Sequence, residues 1–181
     1  MKIFVLRHGE TEENTTGVMQ GNMDTVLNEA GKNQAIGVRD KVKEANIDFI
    51  ICSPKKRAYE TALLAAPGIP VFFDERLLSR NHGEFEGKRR DEINLEEYWN
   101  IKKNNQYEKA ESVSSLFNRI SSLLNDISMK YPDKRVMLVT HSGICRVLYY
   151  YFNGFPEDGD LMEYESYNCS FEEYELNWMS T

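Results

Sequence analysis

The sequence predicts an α/β protein: a single three-layer α/β/α domain with a mostly parallel sheet and a small inserted cap. Three observations carry this prediction. Ile3–Leu6, Phe49–Cys52, Val71–Phe73 and Val136–Val139 are short runs that are apolar throughout, as strands buried on both faces are. Segments of helical spacing separate them, the alternation expected of a parallel sheet covered on both sides. The 181 residues carry no internal repeat and no glycine/serine linker, so one domain over 1–181 is expected.

In chain order, Ile3–Leu6 opens as a strand that meets Arg7 and His8, too short and too soon charged for a signal peptide. Asn28–Ala45 reads as one helix, with Ala30, Ala35, Val38, Val42 and Ala45 near helical spacing. After the strand Phe49–Cys52, Ser53-Pro54 sets a capping hydroxyl before a proline and predicts a helix through about Ala66, closed by Pro67-Gly68. Val71–Phe73 is the next strand. Ser112–Lys130 is the strongest amphipathic helix, with Val113, Leu116, Phe117, Ile120, Leu123, Leu124 and Ile127 on one face. Val136–Val139 then runs into a helix over Gly143–Phe152, and Cys169–Leu176 alternates weakly as a last strand. The stretch at about 74–111 is highly charged and poor in apolar residues, and reads as a cap or flap over one end of the sheet.

Composition narrows the function classes. With 41% apolar and 28% charged residues and only 5 prolines, the chain is of the globular rather than the disordered kind. No apolar run approaches the ~18 residues that a membrane span needs. The 29 acids against 22 bases leave a formal charge of −7, which argues against a general nucleic-acid binder. Every lysine and arginine lies at or before Arg146, and beyond it come only acids and a run of aromatics from Tyr149 to Trp178 that must pack somewhere. Cys52, Cys145 and Cys169 form no C-x-x-C pair and point to a reducing compartment, the cytoplasm.

In open α/β sheets ligands bind beyond the carboxyl ends of the strands. Three such ends carry unusual chemistry: Arg7-His8-Gly9-Glu10-Thr11, Ser53 with Arg57 in the following helix, and Thr140-His141-Ser142-Gly143. Alone, each reads as a turn or a solvated side chain. Together they place Arg7, His8, Arg57 and His141 at one edge of one sheet, and so many basic groups share a pocket only around an anion. Arginine's fork suits phosphate oxygens, and glycine lets backbone N–H groups approach them. A metal centre is the competitor, but histidines flanked by arginines, with no carboxylate or cysteine at ligand spacing, make a poor cation site. No G-x-x-x-x-G-K-[ST] is present, which excludes a P-loop.

These residues resemble the histidine phosphatase superfamily in its phosphoglycerate-mutase-like branch, over nearly the whole chain. The opening motif Arg7-His8-Gly9-Glu10-Thr11 is followed by Asn14, and then by Gly21, Asp24, Leu27, Gly31, Gln34 and Ala35 at familiar spacings. Ser53-Pro54 with Arg57-Ala58 and Thr61-Ala62 is similar to the family's second arginine motif, and His141-Ser142-Gly143 to its second histidine motif. Gly83-Glu84-Phe85-Glu86-Gly87, Glu111-Ser112 and Asn168-Cys169-Ser170 resemble the remaining signatures. The resemblance implies that His8 is the nucleophile, forming a phosphohistidine that water hydrolyses, with no cofactor and no metal. It also implies that Arg7, Arg57, His141 and Asn14 hold the phosphoryl oxygens, with Ser142 and Gly143 beside them. The expected partner is a small phosphorylated metabolite, and phosphate, vanadate or sulfate is expected to fit the same pocket. Nucleic acid and membrane are not expected, and oligomeric state is open.

One departure stands out. Counting back from Gly83, the position where many relatives carry a proton-donating glutamate is Ser79. General acid catalysis is worth ~10²–10⁴-fold, and a serine hydroxyl is too weak an acid to provide it. Glu84 is the favoured substitute, with Asp74, Glu75, Glu10 and His82 behind it. The expected function is therefore a metal-independent phosphomonoesterase of reduced activity on alkyl esters. Its alternatives are an acid-deficient phosphate-binding or regulatory module, and a phosphoglycerate mutase.

Overall fold

Strand β1 (Lys2–Arg7) sends Ile3 and Val5 to one side of the sheet and Phe4 and Leu6 to the other, and all four are buried. The computed structural model describes residues 1–176; Trp178 of the predicted aromatic tail lies outside the described residues. Five strands, β1, β2 (Phe49–Cys52), β3 (Val71–Phe73), β4 (Arg135–Thr140) and β5 (Phe171–Glu175), lie in the order β3-β2-β4-β1-β5. All neighbours pair parallel except β5, which runs antiparallel to β1 at the edge.

Each face of the sheet has its own core. On one side Ile3, Val5, Ile51, Val136 and Leu138 meet α6 (Val113–Lys130) and α7 (Ser142–Asn153). On the other, Phe4, Leu6, Ile50, Cys52, Met137 and Val139 meet α2 (Glu29–Gly37), α3 (Arg39–Glu44) and α4 (Lys56–Ala65). This is the predicted three-layer α/β/α arrangement, and the amphipathic face read over Ser112–Lys130 is buried as expected, with Ser112 capping α6 through its side chain. Two short helices, α1 (Glu12–Thr15) and α5 (Leu95–Tyr98), complete the set.

Two local expectations are corrected. The segment Asn28–Ala45 is two helices, not one: Val38 takes φ −92°, ψ 0° between α2 and α3. Glycine followed by a β-branched residue gives that junction little helical preference. Ser53 does not cap α4, which starts at Lys56 after an extended Lys55. Its hydroxyl is engaged elsewhere, 2.8 Å from Nε2 of His141.

Residues 74–111 carry three short 3₁₀ turns and α5. Arg80 ties this segment together. It is fully buried, its guanidinium lies 3.8 Å over the Tyr98 ring, and it donates to the carbonyls of Tyr98 and Glu111 at 2.8 Å each. A second tie runs to α6, where Arg119 forks onto Glu111 at 2.8 and 2.9 Å and also donates to the Ser79 carbonyl at 3.2 Å. Several of the aromatics after Arg146 pack within the chain: Tyr149 stacks on Tyr164 and Phe152 on Tyr174, with centroids 4.3 and 4.5 Å apart, whereas Tyr167 is 73% exposed. Among the described residues no helix is long and apolar enough to cross a membrane.

Candidate active site

Strand register brings the chemistry together. Arg7 pairs with Thr140 at the ends of β1 and β4, so His8 and His141 are the next residues out on adjacent strands. The His8 N–H donates to the Thr140 carbonyl and the Ser53 N–H to the Val139 carbonyl, which holds all three chain exits at one edge. The turn after β1 sits hard against α2. A Cβ on Gly9 would lie 2.5 Å from the Gly31 carbonyl oxygen, and one on Gly31 only 2.1 Å from that of Glu10. Two glycines are needed for this approach of two backbones.

His8 is 3% exposed. Its Nδ1 lies 2.8 Å from the Gly9 carbonyl oxygen, which can only accept, so Nδ1 carries the ring proton and Nε2 keeps its lone pair. Burial first, then Arg57 and Arg7, hold the ring's pKa well below the usual 6.5. His141 is equally buried and depressed, by burial and then by Arg57, His8 and Arg7. Its Nε2 lies 2.8 Å from the Ser53 hydroxyl, and its Nδ1 has no partner among the described residues.

The arginines are fixed by backbone carbonyls. Arg7 donates through Nη1 to Ser166, and Arg57 donates to Met23 and Gly21. Burial lowers both pKa values, that of Arg57 to about 10, which leaves both cationic at neutral pH. Nε of each is buried with no protein partner among the described residues, as is Nδ1 of His141. Buried polar atoms are rarely left unmet; Nη2 of Arg80 is a fourth, away from the cleft, while these three belong to residues that line it. Asn14 accepts through Oδ1 from the Thr11 N–H and from Asn168, which orients its amide. Ser142 and Gly143 open α7, where first-turn N–H groups favour an anion.

Arg7, His8, Asn14, Arg57, His141, Ser142 and Gly143 line one cleft. Glu84 is not brought to it. The turn Gly83–Phe85 packs Phe85 against Tyr98 and Tyr107, and this leaves the Glu84 carboxylate exposed. Ser79 does line the cleft. Sequence reasoning missed the outer wall, formed by Gln20, Arg90, Trp99 and Arg146, and undervalued His82. Trp99 is held between the guanidinium groups of Arg80 and Arg146, 4.7 and 4.8 Å from its ring. Nothing in its local sequence signals this, since both partners lie on other elements.

The arrangement offers a neutral imidazole nitrogen beside fixed cations and unmet donors, which suits in-line attack on a phosphoryl group. Residues 3–177 match the family model of the histidine phosphatase superfamily (branch 1). The chain is 30% identical to a probable phosphatase of Schizosaccharomyces pombe, over 97% of this chain and 87% of that protein. It is 29% identical to phosphoserine phosphatase 1 of Hydrogenobacter thermophilus, over 97% and 85%. Among solved structures, a phosphoserine phosphatase from Entamoeba histolytica in complex with 3-phosphoglyceric acid superposes with a TM-score of 0.84 at 26% identity, over 95% and 89%. A mycobacterial glucosyl-3-phosphoglycerate phosphatase in complex with VO3 superposes with a TM-score of 0.82 at 25% identity, over 95% and 91%.

Proposed function

Because the chain belongs to branch 1 of the histidine phosphatase superfamily, a membership its match over residues 3–177 establishes, we propose that it hydrolyses phosphate monoesters of a small metabolite through a phosphohistidine on His8. The single observation that carries the reading is the hydrogen bond from His8 Nδ1 to the Gly9 carbonyl, at 2.8 Å. It fixes the tautomer and leaves Nε2 as the nucleophile. Nε2 attacks phosphorus, the P–N bond forms as the ester P–O bond breaks, and the alcohol departs with a proton. Water then attacks the phosphohistidine, the P–N bond breaks, and inorganic phosphate leaves.

Arg7, Arg57 and His141 stabilise the equatorial oxygens, and the unmet Nε donors of the two arginines are preorganised, so little reorganisation is needed in the transition state. Asn14 and the N–H groups of Ser142 and Gly143 add donors on the same side. Residues 74–111 act as the cap over this cleft. The residues supply the charge stabilisation themselves, and no metal is required. Relatives named for phosphoserine and for phosphoglycerate derivatives support a small phosphorylated metabolite as substrate. The free, buried Cys52, Cys145 and Cys169 suit the cytoplasm.

A second reading, a phosphate-binding module without turnover, is favoured by one observation: no aspartate or glutamate lines the cleft among the described residues. Steady-state hydrolysis of an aryl and an alkyl phosphate without added metal, for the wild type and His8→Ala, separates the two. Turnover by the wild type with an acid-labile, base-stable phosphoprotein, both lost in His8→Ala, supports the phosphatase. Tight phosphate binding with no turnover of either ester supports the module.

A further inference from the structure

Resting on the phosphohistidine reading above, we infer that His82 is the catalytic acid, handing the leaving oxygen the proton that Ser79 is too weak to give. The titratable side chains lining the cleft among the described residues are arginines and histidines only. Arginine does not release its proton in proteins. On the reading above, His8 is committed as nucleophile and His141 to the phosphoryl oxygens, with its Nε2 on the Ser53 hydroxyl. His82 remains, 7% exposed and lining the cleft on the same cap segment as Ser79.

Its geometry suits the task. Nδ1 lies 2.7 Å from the hydroxyl of Tyr98, itself buried on α5, which anchors the ring by one nitrogen. Nε2 has no protein hydrogen bond among the described residues. The backbone is held as well, with the His82 N–H directed at the Glu86 carboxylate, which also receives the Asn22 N–H.

The proton's source follows from the charges around the ring. Burial, then Arg80 on its own segment, Arg57 from α4 and Arg90 push the free imidazole down to about 3, so it is neutral before substrate binds. A phosphate dianion among those arginines reverses the local field and favours the imidazolium. Neutral His82 with a monoanionic ester has the same proton count as charged His82 with the dianion, so the proton arrives with the substrate. In the first step Nε2–H of His82 gives its proton to the ester oxygen as that oxygen leaves phosphorus, and Nδ1–H stays on the Tyr98 oxygen. In the second, the neutral ring takes a proton from the attacking water.

The test is the pH dependence of kcat/KM for β-glycerophosphate and p-nitrophenyl phosphate, in the wild type, His82→Gln, Tyr98→Phe and His82→Gln with Ser79→Glu. For the alkyl ester the wild type is expected to fall about tenfold per pH unit above the second phosphate pKa near ~6, and the aryl ester much less. His82→Gln is expected to lower alkyl turnover by ~10²–10⁴-fold and aryl turnover at least tenfold less, and to flatten the alkaline limb. Tyr98→Phe is expected to reduce alkyl turnover selectively. Adding Ser79→Glu is expected to restore alkyl turnover at least tenfold. Unchanged alkyl turnover in His82→Gln overturns the assignment, and so does an equal loss on both esters that Ser79→Glu does not rescue. A wild type with neither turnover nor a His8 adduct overturns the phosphatase reading itself and this assignment with it. A wild type with both, indifferent to His82→Gln, overturns this assignment alone.

Discussion

The rings of His8 and His141 stand 5.2 Å apart between centroids, inclined at 61°, and both are almost wholly buried beside Arg7 and Arg57. Neither can be a cation there without an anion between them. Their folded pKa values lie well below 6.5, as does that of His82, while the unfolded chain titrates near its ordinary value. Below about pH 6.5 the unfolded state therefore binds more protons, and stability falls as the pH is lowered. Each such histidine contributes a slope of up to ~1.4 kcal/mol per pH unit. Urea unfolding is expected to show stability rising from pH 5 to pH 7, less steeply in His8→Asn. A slope unchanged by that substitution contradicts the neutral, buried state of His8.

Nη1 and Nη2 of Arg57 donate to the Met23 and Gly21 carbonyls, while its Nε is buried with no protein partner among the described residues. Arg57→Gln is expected to weaken vanadate or phosphate inhibition by at least tenfold, the loss of about 1.5–3 kcal/mol typical of a charged hydrogen bond. Arg57→Lys is expected to recover part of it, since lysine keeps the charge but not the fork. Inhibition constants measured for both variants decide this, and equal constants in wild type and Arg57→Gln would remove Arg57 from the phosphate site.

Gly31→Ala is expected to be strongly destabilising although it adds a single methyl group. The new Cβ would lie 2.1 Å from the carbonyl oxygen of Glu10 and 2.6 Å from its amide nitrogen, and backbone cannot swing aside as a side chain can. Overpacking of this kind costs about 1–3 kcal/mol. The strain falls on the turn that carries the Gly9 carbonyl, so turnover is expected to drop together with the unfolding midpoint. Gly37→Ala, with nothing within 4 Å of its added Cβ, is the matched control.

Much of this was legible in the sequence because the site is built from strand ends. A buried parallel strand announces itself as an apolar run, and the polar residue that ends it must sit at the sheet's edge, so Arg7-His8 and Thr140-His141 could be placed together before any coordinates. The cap could not be read that way. Its residues owe their positions to contacts distant in sequence: Arg80 to Tyr98 and Glu111, Trp99 to Arg146, and Gly83 to the backbone around Lys109 and Ala110. Glu84 looked suitable by type and spacing, yet a 3₁₀ turn that packs the half-buried Phe85 against Tyr98 leaves Glu84 exposed. The break at Val38 and the start of α4 at Lys56 were missed for a similar reason, since tertiary partners settle which of several weak local signals prevails.

The pair Arg119 and Glu111 should control the cleft without touching the substrate. Their side chains are 22% and 15% exposed, the fork is bidentate, and the remaining Arg119 donors carry the Arg76 and Ser79 carbonyls. Arg119 on α6 therefore fixes the backbone on which Ser79 and, three residues later, His82 face the cleft. Arg119→Met keeps the aliphatic stem and removes every donor. It leaves the half-buried Glu111 without its charged partner, a loss expected to cost about 1–3 kcal/mol. Arg119→Lys retains charge but cannot span two carboxylate oxygens and two carbonyls at once. Both are expected to lower alkyl phosphate turnover more than aryl, because the proposed proton donor His82 is displaced while His8, Arg7 and Arg57 are held by other elements. Comparing the alkyl-to-aryl ratio at a temperature where thermal melts show both variants folded checks the point. A ratio equal to wild type, with only the melting temperature lowered, would make the pair a stability element and nothing more.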